Sequence, residues 1–183
     1  MSKKALLVID YTYDFVADDG KLTCGKPGQA IEGAICEEIA KAVAAGEDIF
    51  VLNDYHLEND PAHPESKLFP PHNVAGTPGR ELYGEVRRAV DEAEKSGKVH
   101  RLDKTRYSAF VRTPLNDMLR ERGVDTVVLT GVCTDICILH TAVSAYNEGY
   151  SIVVPQAAVA SFNPAGHEFA LAHFKGSLGA EVL

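Results

Sequence analysis

Long apolar runs are missing from this sequence. The N-terminal MSKKALLVID opens as a signal peptide does, but its apolar run gives out after five residues at Asp10, too short for an h-region. No stretch reaches the ~20 apolar residues that a membrane helix needs, so a membrane partner is not expected and a cytoplasmic location is. Basic charge is also short. Eighteen Lys and Arg stand against 26 Asp and Glu, for a net charge of -8 and a pI near 5.3, so a phosphate backbone is repelled and no nucleic-acid partner is expected. The most basic runs, EVRRAV and LRERG, alternate with acids and read as helix surfaces. Cysteine is sparse, and Cys24, Cys36, Cys133 and Cys137 form neither a CxxC pair nor a zinc-finger spacing. In a reducing compartment they are expected to be thiols. Internal repeats, low-complexity tracts and composition breaks are absent too, so residues 1–183 read as one domain, long enough for a substantial core.

What is there reads as a layered α/β protein. A hydrophobic fraction of 45% with 24% charged residues excludes disorder for the chain as a whole. Five short, β-branched runs punctuate it: ALLVID (5–10), DIFVLND (48–54), VHRLDK (99–104), DTVVLTG (125–131) and SIVVPQA (151–157). Helix-period stretches such as AIEGAICEEIAKAVAAG and TPLNDMLRERG lie between them, each closed by a glycine. Strands alternating with helices predict a parallel sheet covered on both faces, with AEVL near the C-terminus as a sixth strand. Residues 55–82 hold five prolines and no apolar period, a long excursion of the kind that is usually functional.

In an open parallel sheet, ligands bind outside the carboxyl ends of the strands. Those ends carry Asp10, then Asp54 with His56 beyond it, then Asp103-Lys104, then Gly131-Val132-Cys133. One acid at a strand end has a bland explanation, as a helix cap or a solvated group. Four polar ends on one rim weaken that explanation. After the fourth strand, TDICILHTAVSAYNEG has helical spacing with Thr134 or Asp135 as N-cap, which puts Cys137 in the first turn. Unpaired N–H groups and the helix dipole there favour a thiolate and can hold an oxyanion. Cys137 is thus the candidate nucleophile. Cys133 is a candidate for the pocket lining, with a backbone N–H as a second oxyanion donor, whereas Cys36 reads as a core residue. A thiol that cleaves an amide needs a proton acceptor that later protonates the amine, which suits Asp10. A cation must balance that acid beside the sulfur, which suits Lys104.

The long loop gathers a second set of groups: Asp54, His56, His63, Glu65 and His72. A mixed nitrogen and oxygen donor set suits a divalent zinc, iron or manganese ion. His100, His140, His167 and His173 are scattered and receive no role.

Taken together, VIDYTYDF, DYH followed by HPESKLFPPHNVAGTPG, DKTRYSAF and TGVCTDICILHTAVSAYNEGY resemble the nicotinamidase/pyrazinamidase branch of the isochorismatase-like cysteine hydrolases, in order and over nearly the whole chain. The resemblance implies a three-layer α/β/α fold of the Rossmann-like kind, with a six-stranded parallel sheet. It implies a triad of Asp10, Lys104 and Cys137, a cis peptide at Val132-Cys133, and the backbone N–H groups of Cys133 and Cys137 as the oxyanion hole. Asp54, His56 and His72 carry over as metal ligands. His63 and Glu65 both offer themselves as the intervening ligand, and similarity to members sharing HPESKLFPPH favours Glu65, with zinc the first choice of metal. Phe15, Phe69 and Tyr107, with Cys133, fall where the family walls the substrate ring.

The activity so implied is hydrolysis of nicotinamide to nicotinate and ammonia through a cysteine thioester, with pyrazinamide also accepted, in NAD salvage and pyridine nucleotide biosynthesis. The implied partner is a small-molecule substrate, and family members are often homo-oligomers. Three departures bear on ring selectivity: Thr12 where many members have glutamine, Cys133 where alanine is frequent, and no tryptophan in the metal loop. Two other functions compete. One is a carboxamide or carbamoyl hydrolase of the same superfamily, whose substrate has no pyridine nitrogen. The other is a non-catalytic, flavodoxin-like binding module with a cation at its strand ends.

Overall fold

In the computed structural model, which describes residues 2–183, seven parallel strands form one sheet. They are β1 (Lys4–Ile9), β2 (Asp48–Asp54), β3 (Val99–Lys104), β4 (Thr126–Val132), β5 (Ser151–Val154), β6 (Val159–Ala160) and β7 (Glu181–Val182). The order is β3-β2-β1-β4-β5-β7, with β6 paired to β4. Six strands were expected; the seventh is β6, two residues long and therefore without a readable period.

Successive side chains on a strand face opposite ways, and β1 divides accordingly. Ala5, Leu7 and Ile9 join one core with Leu115, Leu119, Ala142 and Phe174, from helices α5 (Leu115–Glu121), α6 (Leu139–Asn147) and α7 (Pro164–Leu178). Leu6 and Val8 join the other with Ile35, Ile39, Val86 and Val90, from α3 (Glu32–Ala45) and α4 (Gly84–Ala93). Each of the larger of these side chains (Val, Leu, Ile, Phe), fully withdrawn from water, contributes about 1.5–3 kcal/mol. Two shorter helices, α1 (Tyr13–Val16) and α2 (Lys26–Ala30), follow β1. Among the described residues no helix is long and apolar enough to cross a membrane.

The chain lays down β1, β2 and β3 outward in one direction, then returns to place β4 on the other side of β1. That reversal opens a crevice at the carboxyl ends of β1 and β4. The excursion after β2 folds over this crevice. Its path is fixed by short helical turns at Pro64–Lys67 and Pro78–Arg80, and by bridges pairing His56 with Val74 and Thr12 with Leu82.

Candidate active site

β3 is an edge strand, half-exposed along most of its length, yet its last residue, Lys104, is completely buried. Register explains why. Lys104 pairs with Asp54 at the end of β2, and Leu52 of β2 pairs with Ile9, the residue before Asp10. Asp10 turns off the strand in the left-handed region at φ 56°, where its N–H still donates to the Leu52 carbonyl. Its Oδ1 accepts the Asp54 N–H at 2.8 Å, and its Oδ2 lies 2.7 Å from the Lys104 ammonium. Lys104 also pairs with the Asp54 carboxylate and donates to the Arg106 carbonyl at 3.2 Å. Its Nζ stands 3.5 Å from the Cys137 sulfur.

Cys137 arrives from β4. Gly131 has φ 112°, and a Cβ there would run into the Ile9 carbonyl, so only glycine lets β4 pass this close to the exit of β1. The Val132-Cys133 peptide that follows is cis. The helix does not begin as the sequence spacing implies: Cys133, not Thr134 or Asp135, is the capping residue. The chain then makes a wide turn, Thr134–Ile138, before α6, and the Cys133 carbonyl accepts the N–H groups of both Ile136 and Ile138. This turn carries Cys137, 5% exposed.

One cation, two carboxylates and a thiol thus share a dry space. Burial pushes the Asp10 carboxyl up to about 7, the Asp54 charge adds to this, and Lys104 opposes it. Burial acts on Asp54 in the same sense, but the Lys104 ammonium and His56 outweigh it and hold that carboxyl at about 2. Lys104 stays charged: burial disfavours its ammonium, and the two carboxylates more than compensate. Contrary to the expectation from the helix start, the resting sulfur is not favoured as a thiolate. Burial raises the Cys137 thiol well above its ordinary value, Lys104 offsets this in part, and the charges of Asp10 and Asp54 add to it. The resting sulfur is protonated, beside a carboxyl whose affinity for protons matches neutral pH, where a general base works best.

Next to Asp54 lies a second cluster. Ligand atoms of Asp54, His56, Glu65 and His72 all fall within 4.8 Å of one another; Asp54, Glu65 and His72 are buried and His56 is nearly so. His72 Nε2 is 3.6 Å from Glu65 Oε2 and 4.0 Å from Asp54 Oδ2, and His56 Nε2 is 3.7 Å from Asp54 Oδ2. Asp54 Oδ2, His56 Nε2 and His72 Nε2 have no hydrogen-bond partner among the described residues. Buried polar atoms in that condition are costly. His72 donates from Nδ1 to the Pro70 carbonyl at 2.8 Å, which leaves the Nε2 lone pair directed at the cluster, as in metal-ligating histidines. Two imidazoles and two carboxylates fit a divalent ion. His63 is occupied otherwise: Nε2 donates to the Thr105 carbonyl at 2.9 Å, and Nδ1 accepts the Glu65 N–H at 3.3 Å. It caps the turn that presents Glu65.

Between the cluster and Cys137 lies a mainly apolar cavity, whose lining includes Phe15, Phe69, Tyr107 and Cys133 together with Asp54, Glu65 and Cys137. Leu22, Ile136 and Phe162 also line it and were not anticipated. Phe162 stands just past the carboxyl end of β6, so the strand-end logic that found the others would have found it had β6 been readable. Arg80 was missed as well. Its Nε donates to the Asp54 carbonyl at 2.9 Å and its guanidinium pairs with Asp103, clamping the loop's return across β2 and β3.

Known proteins resemble this chain in sequence and in fold. A PncA protein of the isochorismatase family from Bacillus subtilis strain 168 is 53% identical over 180 residues, covering 98% of each chain. The crystal structure of a pyrazinamidase/nicotinamidase from Streptococcus mutans UA159 superposes with a TM-score of 0.96 at 57% identity, over 99% of this chain and all of that one. A pyrazinamidase of Pyrococcus horikoshii in complex with zinc matches at 29% identity with a TM-score of 0.86, over 99% of this chain and 98% of that one. The isochorismatase domain model matches residues 4–183. The chain, with its parallel sheet and its polar crevice at the strand ends, belongs to the isochorismatase family.

Proposed function

We propose that this protein hydrolyses nicotinamide to nicotinate and ammonia, and pyrazinamide likewise, through a thioester on Cys137. One observation carries the reading: a buried lysine joins the proposed base, Asp10, to the proposed nucleophile, Cys137, at one end of an aromatic cavity, and a donor cluster suited to a metal closes the other end. The similarity to nicotinamidase and pyrazinamidase structures supports it.

In the proposed reaction, Asp10 takes the Cys137 proton as the sulfur attacks the carboxamide carbon. Lys104 keeps the developing thiolate and the Asp10 carboxyl in balance. The backbone N–H groups of Cys133 and Cys137 hold the oxyanion. Asp10 returns its proton to the departing nitrogen, and ammonia leaves. Asp10 then deprotonates a water that attacks the thioester, releasing nicotinate and restoring the thiol. Asp54, His56, Glu65 and His72 would hold a divalent ion, zinc by preference over iron or manganese. Such an ion would act as a Lewis acid toward a ring nitrogen and so help orient the substrate. Phe15, Phe69, Tyr107 and Cys133 flank the ring and exclude water. Free thiols at all four cysteines suit a reducing, cytoplasmic setting.

Ammonia release from nicotinamide, pyrazinamide and benzamide tests the assignment. The two heteroaromatic amides are expected to be hydrolysed and benzamide to be spared. Equal turnover of benzamide would overturn the ring-nitrogen reading in favour of a general carboxamide or carbamoyl hydrolase.

A further inference from the structure

Asp14 lies outside the groups just described, and its surroundings are unusual for an acid. It is 6% exposed, and among the described residues no cation lies within ion-pairing distance of it. Backbone amides satisfy it instead: Oδ2 accepts the Asn73 N–H at 2.8 Å, and Oδ1 the Lys21 N–H at 3.3 Å. Both carboxylate oxygens are thus spent on main-chain atoms, one in the chain just after its own helix and one in the metal loop.

What it holds is informative. Asn73 follows His72 directly, is fully buried, and has φ 45°, the left-handed conformation rare for non-glycine residues. The carboxylate therefore grips the backbone at the bend that leads out of His72. On its own helix Asp14 precedes Phe15, whose ring lies 5.2 Å from the His72 ring. On its far side the chain is cut back to make room. A Cβ on Gly79 would overlap the Asp14 carboxylate, although Gly79 does not have a positive φ. Its lack of a side chain thus serves close approach, not backbone freedom.

We propose that Asp14 is a positioning residue for the metal site: its bond to the Asn73 N–H fixes the bend that aims His72 Nε2 at Asp54 and Glu65, and Gly79 is glycine to admit that carboxylate. The proposal rests on the reading of His72 as a metal ligand. It joins the aromatic wall and the metal loop through one side chain that touches neither substrate nor ion.

The test is zinc affinity, measured on purified protein by competition with a chromogenic chelator, alongside kcat and KM for nicotinamide. Asp14→Ala and Gly79→Ala are each expected to weaken zinc binding by about 10–100-fold, as loss of an outer-shell partner does elsewhere, and to raise KM more than they lower kcat. Asp14→Asn, which keeps an acceptor and the volume, is expected to stay close to wild type in both. The double variant, Asp14→Ala with Gly79→Ala, should be no worse than the weaker single one, because deleting the carboxylate vacates the space that the added Cβ needs. Should Asp14→Ala not fold, Gly79→Ala and Asp14→Asn still decide. Wild-type zinc affinity in Gly79→Ala or Asp14→Ala, in an enzyme that hydrolyses nicotinamide, overturns the positioning role and leaves the functional reading standing. A wild-type protein that neither binds zinc nor hydrolyses nicotinamide overturns both.

Discussion

Replacing Lys104 by methionine keeps the length and apolar bulk of the side chain and deletes the ammonium. Lys104, Asp10 and Asp54 are at most 1% exposed, so no water replaces the lost charge. Asp10 and Asp54 would then face each other across the hydrogen bond from the Asp54 N–H to Asp10 Oδ1. Removing one member of a buried ion group costs about 3–5 kcal/mol. For a chain of this size each kcal/mol moves the Tm by about 2–4 °C, which predicts a Tm lowered by about 6–20 °C at neutral pH. The comparison belongs in chelator-treated protein, because a bound ion stabilises by mass action and would blur the difference. With no tryptophan in the chain, far-UV circular dichroism is the natural probe of thermal and urea unfolding. Adding Asp10→Asn to Lys104→Met removes one of the two opposed charges and should recover part of the loss. An unchanged Tm in Lys104→Met, or a further fall in the double variant, would refute the idea that these three groups form one coupled unit.

Three further predictions concern residues that frame the site. Glu65→Gln should lower zinc affinity sharply, while His63→Ala, which leaves the four clustered ligand atoms in place, should lower it less; an equal loss in both would point to His63 as a ligand. Gly131→Ala should fail to give soluble native protein, or lower the urea midpoint strongly, because the new Cβ meets the Ile9 carbonyl at a φ of 112°; wild-type stability would show that β4 can shift at no cost. Phe162→Ala, at a half-exposed pocket wall, should raise KM for nicotinamide about five-fold with kcat little changed, the equivalent of about 1 kcal/mol of apolar contact; an unaltered KM would remove Phe162 from the binding surface.

Much of this was legible in the sequence because parallel strands buried on both faces read as continuous apolar runs, and because their polar ends fall where such sheets bind ligands. Asp10, Asp54, Lys104 and Cys133 all stand at those ends. What could not be read has physical reasons. β6 spans two residues, so neither it nor Phe162 beyond it left a pattern. The wide turn at Thr134–Ile138 has the same composition as an ordinary first helical turn, and its bonds to the Cys133 carbonyl depend on how β4 ends. The protonation of Cys137 is not legible locally, because the burial that chiefly raises its thiol, and the second carboxylate, Asp54 from β2, that adds to it, are set by the tertiary fold. Asp14, Gly79 and Arg80 gave no signal, since each acts on backbone atoms or side chains far away in the chain.

The central claim is that the Cys137 sulfur, served by Asp10 and Lys104, forms the bond to the substrate. Ammonia release from nicotinamide by Cys137→Ala, measured together with the metal content of the same preparation, tests it most directly. Turnover reduced to background with wild-type metal content is the predicted result. Substantial turnover in that variant would contradict the covalent route and move the chemistry to the Asp54, His56, Glu65 and His72 cluster.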